Sequence, residues 1–299
     1  MKEGFRAGFV TLVGRSNVGK STLMNRVVGM KIAITSPKPQ TTRRKIRTVY
    51  TGEKGQVVFV DTPGMHLAKN KLSEYMEEAA EKSIPDVDLV LWVVEPSPYV
   101  GAGDRAIAEK LKASGKKVIL VINKSDTVPK EGLLPVMDAY RRELPLTEIL
   151  PVSARKGTGI DELIDAVIRE LPESEPLYSE DTVTDETVRA MSAEIIREKA
   201  LRNLRDEVPH GIAVEIESMK EGDSLTEIDA SIVCERDSHK GIIIGKGGAM
   251  IKRIGTQSRK EIEELLEAHV NLQLRVKVRK DWRDNEMMLK SLGYNKKDL

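Results

Sequence analysis

Aromatic side chains fill only 4% of the 299 positions, so whatever cores this chain builds are aliphatic. Cysteine is scarcer still. Cys234 alone excludes an internal disulfide framework, and a lone thiol ending the strand-like stretch 228–233 reads as a buried strand residue. No stretch approaches the roughly 18 to 20 unbroken apolar residues of a membrane span. The opening MKEGFRAGFV also lacks the long apolar run and small-residue cleavage site of a secretory signal. The expected location is the cytosol. Net charge is nearly absent too, +1 from 48 bases and 47 acids, and by itself names no partner.

What is present is the composition of an ordinary globular protein, 40% hydrophobic and 32% charged. The length suits two domains, which most often run to roughly 100 to 200 residues. Charge is unevenly placed. Segment 37–47 holds Lys38, Arg43, Arg44, Lys45 and Arg47 with no acid. Segment 185–235 holds thirteen acids and six bases, whereas 236–260 holds seven bases and one acid, so the latter is expected to meet something anionic.

Residues 1–171 alternate short β-rich apolar runs with helical patterns, the signature of an α/β domain with helices on a mostly parallel sheet. Strands are expected at 7–13, 57–60, 89–94, 118–122 and 149–152. A hairpin from 46–50 through TGEKGQ adds an antiparallel edge and brings the sheet to six strands. Helices are expected at 20–28, 73–82, 104–113, 133–143 and 160–170. Residues 172–185 are polar, carry two prolines and lack periodicity, so they read as a linker. Residues 186–299 then form a smaller α+β domain with a C-terminal tail. Its elements are a helix at 186–204, strands at 213–219 and 225–235, a helix at 249–266 and a strand at 271–278.

Between the first strand and the first helix the sequence is GRSNVGKS, a match to G-x-x-x-x-G-K-[ST] in its required context. Backbone N–H groups of such a loop wrap a polyphosphate, assisted by the helix dipole. Gly14, Arg15, Ser16, Asn17, Val18, Gly19, Lys20 and Ser21, with Thr22 after them, are therefore the expected phosphate site. Lys20 would reach the outer phosphates and Ser21 would ligate magnesium. After a later strand, Asp61, Thr62, Pro63 and Gly64 place a carboxylate near the magnesium and a glycine N–H near the γ-phosphate. Strand ends on one edge of a parallel sheet converge on one crevice, which makes that position informative.

Asn123, Lys124 and Asp126 follow the apolar strand VILVI, and they decide the base. The Asp126 carboxylate can accept from the guanine N1–H and 2-amino group, a donor pair that adenine lacks. Ser153, Ala154 and Arg155 fit a backbone contact to the guanine oxygen.

Four motifs in this order resemble the GTPase superfamily over residues 5–171. By that resemblance the Thr41-Thr42 doublet lies in the first switch loop. Thr42 would ligate magnesium beside Ser21 and Asp61, with Thr41 an open alternative one residue away. Ras-like members orient water with a glutamine after the DxxG glycine. Here Met65 stands there, and His66 is an uncertain substitute. Lys20, Asn17, Thr42 and Gly64 remain the expected catalytic set. Asn17 matches the asparagine that holds potassium in cation-dependent relatives. An asparagine that merely shapes the loop stands as the equal alternative.

In the second domain IIIGKGGAMIKRIG sets Ile244 and the GxxG loop Gly245, Lys246, Gly247 and Gly248 before an amphipathic helix. His239, Lys240, Lys252 and Arg253 cluster around the loop, as cations do where nucleic acid binds. This resembles a KH domain of the bacterial type (type II), whose loop clamps about four nucleotides beside an apolar groove. With PQTTR at 39–43, VPHGIAVEI at 208–216 and the ending VKVRKDWRDNEMMLKSLGY, the chain closely resembles the bacterial Era GTPase family nearly end to end. The resemblance implies GTP/GDP turnover with Mg2+ and binding of small-subunit ribosomal RNA near its 3′ end. It also implies help in assembling the small ribosomal subunit and some peripheral membrane association. A GTPase assisting RNA modification lacks a cofactor motif here. A lipid-recruited switch is disfavoured by Glu261, Glu263, Glu264 and Glu267 on the basic helix. A monomer is expected, since no heptad or apolar helix face is left over.

Overall fold

The structure is a computed structural model and describes residues 4–36, 38, 40–64, 69–222 and 224–298. Six strands form the first sheet: β1 (Arg6–Val13), β2 (Ile46–Thr51), β3 (Gly55–Asp61), β4 (Leu89–Val94), β5 (Lys117–Ile122) and β6 (Glu148–Pro151). Their order is β2-β3-β1-β4-β5-β6, parallel except for β2, which pairs antiparallel with β3. Central β4, LVLWVV, is buried along its whole length, because a strand covered by helices on both faces has no solvent side.

Helices α1 (Lys20–Val28) and α5 (Ile160–Glu170) cover one face. Helices α2 (Lys71–Lys82), α3 (Ala102–Ser114) and α4 (Leu133–Arg141) lie in the same first unit. Local chemistry sets their ends. Helix α2 opens with a reciprocal Asn70–Ser73 capping box, and α1 stops at Gly29 in the left-handed region.

Residues 172–185 do not hang free. They are pinned to the first unit by Ala7 N–H to Pro172 O, Val49 N–H to Val183 O, and the Gln56 side chain bonded to the backbone of Leu177 and Tyr178.

The second sheet holds β7 (Ala213–Glu221), β8 (Leu225–Cys234) and β9 (His269–Val278), with β7 and β8 antiparallel and β8 and β9 parallel. Helices α6 (Val188–Asn203), α7 (Asp237–Ile244) and α8 (Ala249–Leu266) share its core through Ile196, Ile243, Ile254 and Ile262. The apolar run before the glycine loop is the last turn of α7. That turn buries Ile243 completely and leaves Ile242 half exposed. Cys234 is buried at the end of β8.

The tail is structured as well. A turn at Trp282–Asp284 and helix α9 (Glu286–Ser291) join an apolar cluster in which Leu72, Tyr75 and Met76 of α2 pack with Trp282, Leu289 and Tyr294.

Candidate functional site: a phosphate loop and a glycine-loop groove

The phosphate loop runs from the end of β1 into α1. Helix α1 has no side-chain cap and no acid in its first turn, so its leading N–H groups stay available to an anion. Lys20 is buried and donates to the carbonyls of Gly14 at 3.0 Å and Arg15 at 3.1 Å. Burial pushes its ammonium down to about 8, with Asp61 partly opposing. Arg15 turns its side chain away, to Asp104 on α3 at 3.0 Å. Thr62 likewise faces inward and donates to Leu12 O at 2.9 Å. Pro63 is buried. Val18 belongs to the core, and its carbonyl accepts from Asn123.

The residues expected at the magnesium site converge. Ser21 Oγ lies 2.9 Å from Thr42 Oγ1 and donates to Asp61 Oδ2 at 2.7 Å, while Thr42 Oγ1 reaches the same oxygen at 3.2 Å. Thr41 instead donates to Lys38 O at 2.7 Å. Asp61 is fully buried, and its Oδ1 has no partner among the described residues. Burial pushes its carboxyl up, with Lys20, Ser21 and Thr42 opposing.

Lys20, Ser21, Thr41 and Thr42 line a cleft of ≈ 400 Å³ with Ser16, Asn17, Gly19, Thr22, Gly64 and Lys124. Gly64 touches the loop so closely that a Cβ on it would meet Ser16 N at 2.9 Å. Met65 and His66 lie outside the described residues, as do Pro37 and Pro39.

On the base side, Ser153 Oγ donates to Asp126 Oδ1 at 2.7 Å, and this bond above all holds the Asp126 carboxyl below its usual range. Asn123 ties two loops together, donating to Val18 O at 2.9 Å and accepting from Ala154 N–H at 3.0 Å. Lys124 donates to Asn17 O and pairs with Glu95. Arg155 contributes its carbonyl to Arg26 of α1.

In the second unit Gly245, Gly247 and Gly248 all adopt positive φ, and a Cβ on Gly245 would lie 2.9 Å from Met250 N. Lys246 and Gly247 stand exposed at the tip, and α8 begins without a side-chain cap or a first-turn acid. Ile244 packs against the core. His239 and Lys240 are half-buried on α7.

Lys252 and Arg253, adjacent in sequence, diverge in space. Lys252 lines a groove of ≈ 290 Å³ between α8 and β9 with Ile251, Gly255, Thr256, Arg259, Leu272 and Leu274. Arg253 faces a furrow between α6 and α8 beside Lys199, Arg202 and Lys260.

Residues 9–124 match the family model described as 50S ribosome-binding GTPase, and residues 207–283 match that of the KH domain. GTPase Era of Clostridium botulinum (strain Eklund 17B / Type B) is 53% identical over 294 residues, 98% of this chain and 100% of the relative. The chain belongs to the Era GTPase family. GTPase Era of Caldanaerobacter subterraneus subsp. tengcongensis is 50% identical, over 97% of this chain and 98% of its own. A crystal structure of Era in complex with MgGDPNP and nucleotides 1506-1542 of 16S ribosomal RNA superposes with TM-score 0.94. It is 40% identical and covers 97% of this chain and 99% of that one. A single-residue variant of Aquifex aeolicus Era bound to GDP.AlF4- superposes equally well, with TM-score 0.94 and 40% identity over the same coverage.

Several residues of this Era-family site escape sequence reading. Thr35 and Ser36 line the phosphate cleft, Arg26 fixes the Ser153–Arg155 loop, and Leu272 and Leu274 wall the groove. Only Gly255 carried a signal, because a glycine inside a helix costs about 1 kcal/mol against alanine and marks a close approach.

Proposed function

We propose that this Era-family GTPase is a switch that binds small-subunit ribosomal RNA near its 3′ end and assists assembly of the small ribosomal subunit. One observation carries the reading. An exposed glycine-lysine loop heads an apolar groove edged by Lys252 and Arg259, on the same chain as a guanine-nucleotide cleft. The 16S RNA bound by the relative of TM-score 0.94 names the RNA class. That relative spans nearly the whole chain, and so outweighs the large-subunit binding of the family that residues 9–124 match.

Residues 1–171 would act as the GTP domain, 172–185 as the linker and 186–299 as the RNA domain. Ser21, Thr42 and Asp61 would hold Mg2+. Two hydroxyls and a buried carboxylate with an unpartnered oxygen form the hard oxygen set that this ion takes. When bound, the ion supplies positive charge to the phosphate oxygens. Lys20 orients the outer phosphates, Gly64 offers its N–H, Asp126 selects guanine, and Asn17 holds K+ where an arginine finger would otherwise stand. Peripheral membrane association, implied by the family resemblance alone, is tested by co-sedimentation with anionic vesicles.

The RNA reading is tested by replacing Lys246 and Gly247 together with Asp. That removes a cation and adds two anions where phosphates would pass. RNA affinity should fall steeply, and the salt slope should flatten by roughly 0.7 for each phosphate no longer neutralised. Basal GTP hydrolysis should be unchanged, since the loop belongs to the other core. RNA binding that persists with the wild-type salt slope refutes the assignment.

A further inference from the structure

Between α1 and β2 the described residues form neither helix nor strand, so something else must hold the loop that carries Thr42. The second unit holds it. Arg202 donates to Thr35 O at 3.0 Å, Lys38 donates to Leu204 O, and Arg197 donates to Thr41 O. Arg43 reaches the other way, into the KH domain, donating to Ile212 O at 2.6 Å and His210 O at 3.1 Å. Thr42 is thus fixed from both neighbours: the carbonyl before it is bound by Arg197, and the side chain after it is anchored across the interface.

Arg43 is an unusual anchor. It is 2% exposed, with Tyr294 and the Glu194 carboxylate only partly offsetting its burial, and its guanidinium lies 6.0 Å from the ring centre of Trp282. A buried cation whose nearest carboxylate is beyond contact distance is costly, and an apolar side chain would serve packing better. What the planar fork supplies is direction, since two carbonyls on one turn fix its orientation. Trp282 steadies that turn by donating Nε1–H to Gly211 O at 3.0 Å. Helix α2 is docked on the same unit through Lys71 to Glu286 and Tyr75 against Tyr294.

We propose that Arg43 is a positioning residue for GTP, which locks the loop bearing Thr42 onto the KH domain so that the second domain sets the preference for triphosphate over diphosphate. The inference rests on the reading of Thr42 as a magnesium ligand. Neighbouring Cα atoms are about 3.8 Å apart, so loss of the anchor at 43 leaves Thr42 tethered only through Thr41 and loosens its place within about 3 Å of Ser21 and Asp61. GDP has no γ-phosphate and makes no use of Thr42, so release weakens only the triphosphate complex. Linkage makes the effect reciprocal: GTP tightens the docking of the two domains.

The test measures affinities of the full chain for GDP and for GDPNP across a magnesium series, in wild type, Arg43→Ala, Arg43→Lys, Thr42→Ala and Trp282→Phe. Arg43→Ala should leave GDP unchanged, weaken GDPNP about tenfold, and raise the magnesium needed for half-maximal GDPNP binding. Arg43→Lys should recover only part, since one ammonium cannot span both carbonyls. Trp282→Phe, far from the nucleotide, should lower the GDPNP-to-GDP ratio in the same sense and covers the case in which Arg43→Ala does not fold. Equal losses for GDP and GDPNP, or a lowered melting temperature alone, overturn the proposal. If Thr42→Ala lowers the ratio and Arg43→Ala does not, the positioning role fails alone. If Thr42→Ala also leaves the ratio untouched, the magnesium reading fails and takes this inference with it.

Discussion

Gly19 and Asn123 compete for one small volume: a Cβ on Gly19 would lie 2.3 Å from Asn123 Nδ2, the nitrogen that donates to Val18 O. The base-side motif therefore props the phosphate loop directly, and only a residue without a side chain lets it do so. Gly19 also sits at φ 98, where an L side chain is strained. Strain of about 1 to 3 kcal/mol confined to the loop corresponds to roughly tenfold or more in affinity. Gly19→Ala should lose that factor for GDP and GTP alike. Gly29→Ala, at φ 76 with open space around it, should cost stability by roughly 1 kcal/mol and leave affinity intact. Titration calorimetry on both variants decides the point, and wild-type affinity in Gly19→Ala counts against it.

Asp126 presents a carboxylate fixed by Ser153 Oγ. Asp126→Asn replaces one acceptor by a donor, which suits the 2-oxo group of xanthine and opposes the 2-amino group of guanine. GTP affinity should drop at least about a hundredfold while xanthosine triphosphate binds better than to wild type. Unchanged GTP affinity, with xanthosine nucleotides ignored, means the base lies elsewhere.

Lys20 links nucleotide binding to pH. Burial lowers its ammonium to about 8, and phosphates favour the charged form, so nucleotide binding above that pH takes up a proton. Affinity should be level below about pH 7.5 and then fall, by at most about tenfold per unit. Folding stability moves the opposite way. Between about 8 and the ordinary 10.5 the unfolded chain holds the proton that the folded chain lacks, so the nucleotide-free protein gains stability as pH rises. Lys20→Met should abolish both slopes, and a wild-type affinity profile flat to about pH 9 contradicts the assignment.

Asn17 adopts positive φ and lines the phosphate cleft beside Gly64 and Lys124. If it holds K+ there, hydrolysis at equal ionic strength should run several-fold faster in potassium than in sodium, as a positive centre at a dry site lowers the barrier. The advantage should vanish in Asn17→Ala. Equal rates in the two salts, or a potassium effect that survives the substitution, would rule the role out.

The sequence alone located the strands and helices of the first sheet to within a few residues, because their signals are local. Apolar runs such as LVLWVV, glycines at strand-to-helix turns and the order of Lys20, Asp61 and Asp126 each declare themselves within a few residues, and parallel topology then brings strand ends to one crevice. The glycine loop of the second domain was legible for the same reason. Tertiary structure alone decided what depends on distant partners. It sent Lys252 into the groove and Arg253 to a different face of α8, since adjacent helical residues point about 100° apart. It turned the isoleucine run at 242–244 into helix, and it seated the tail on α2 through Trp282 and Tyr294. Above all, it took Arg43 from the basic first switch loop and buried it 169 positions away against Ile212 O, a contact between two cores that neither one's local pattern encodes.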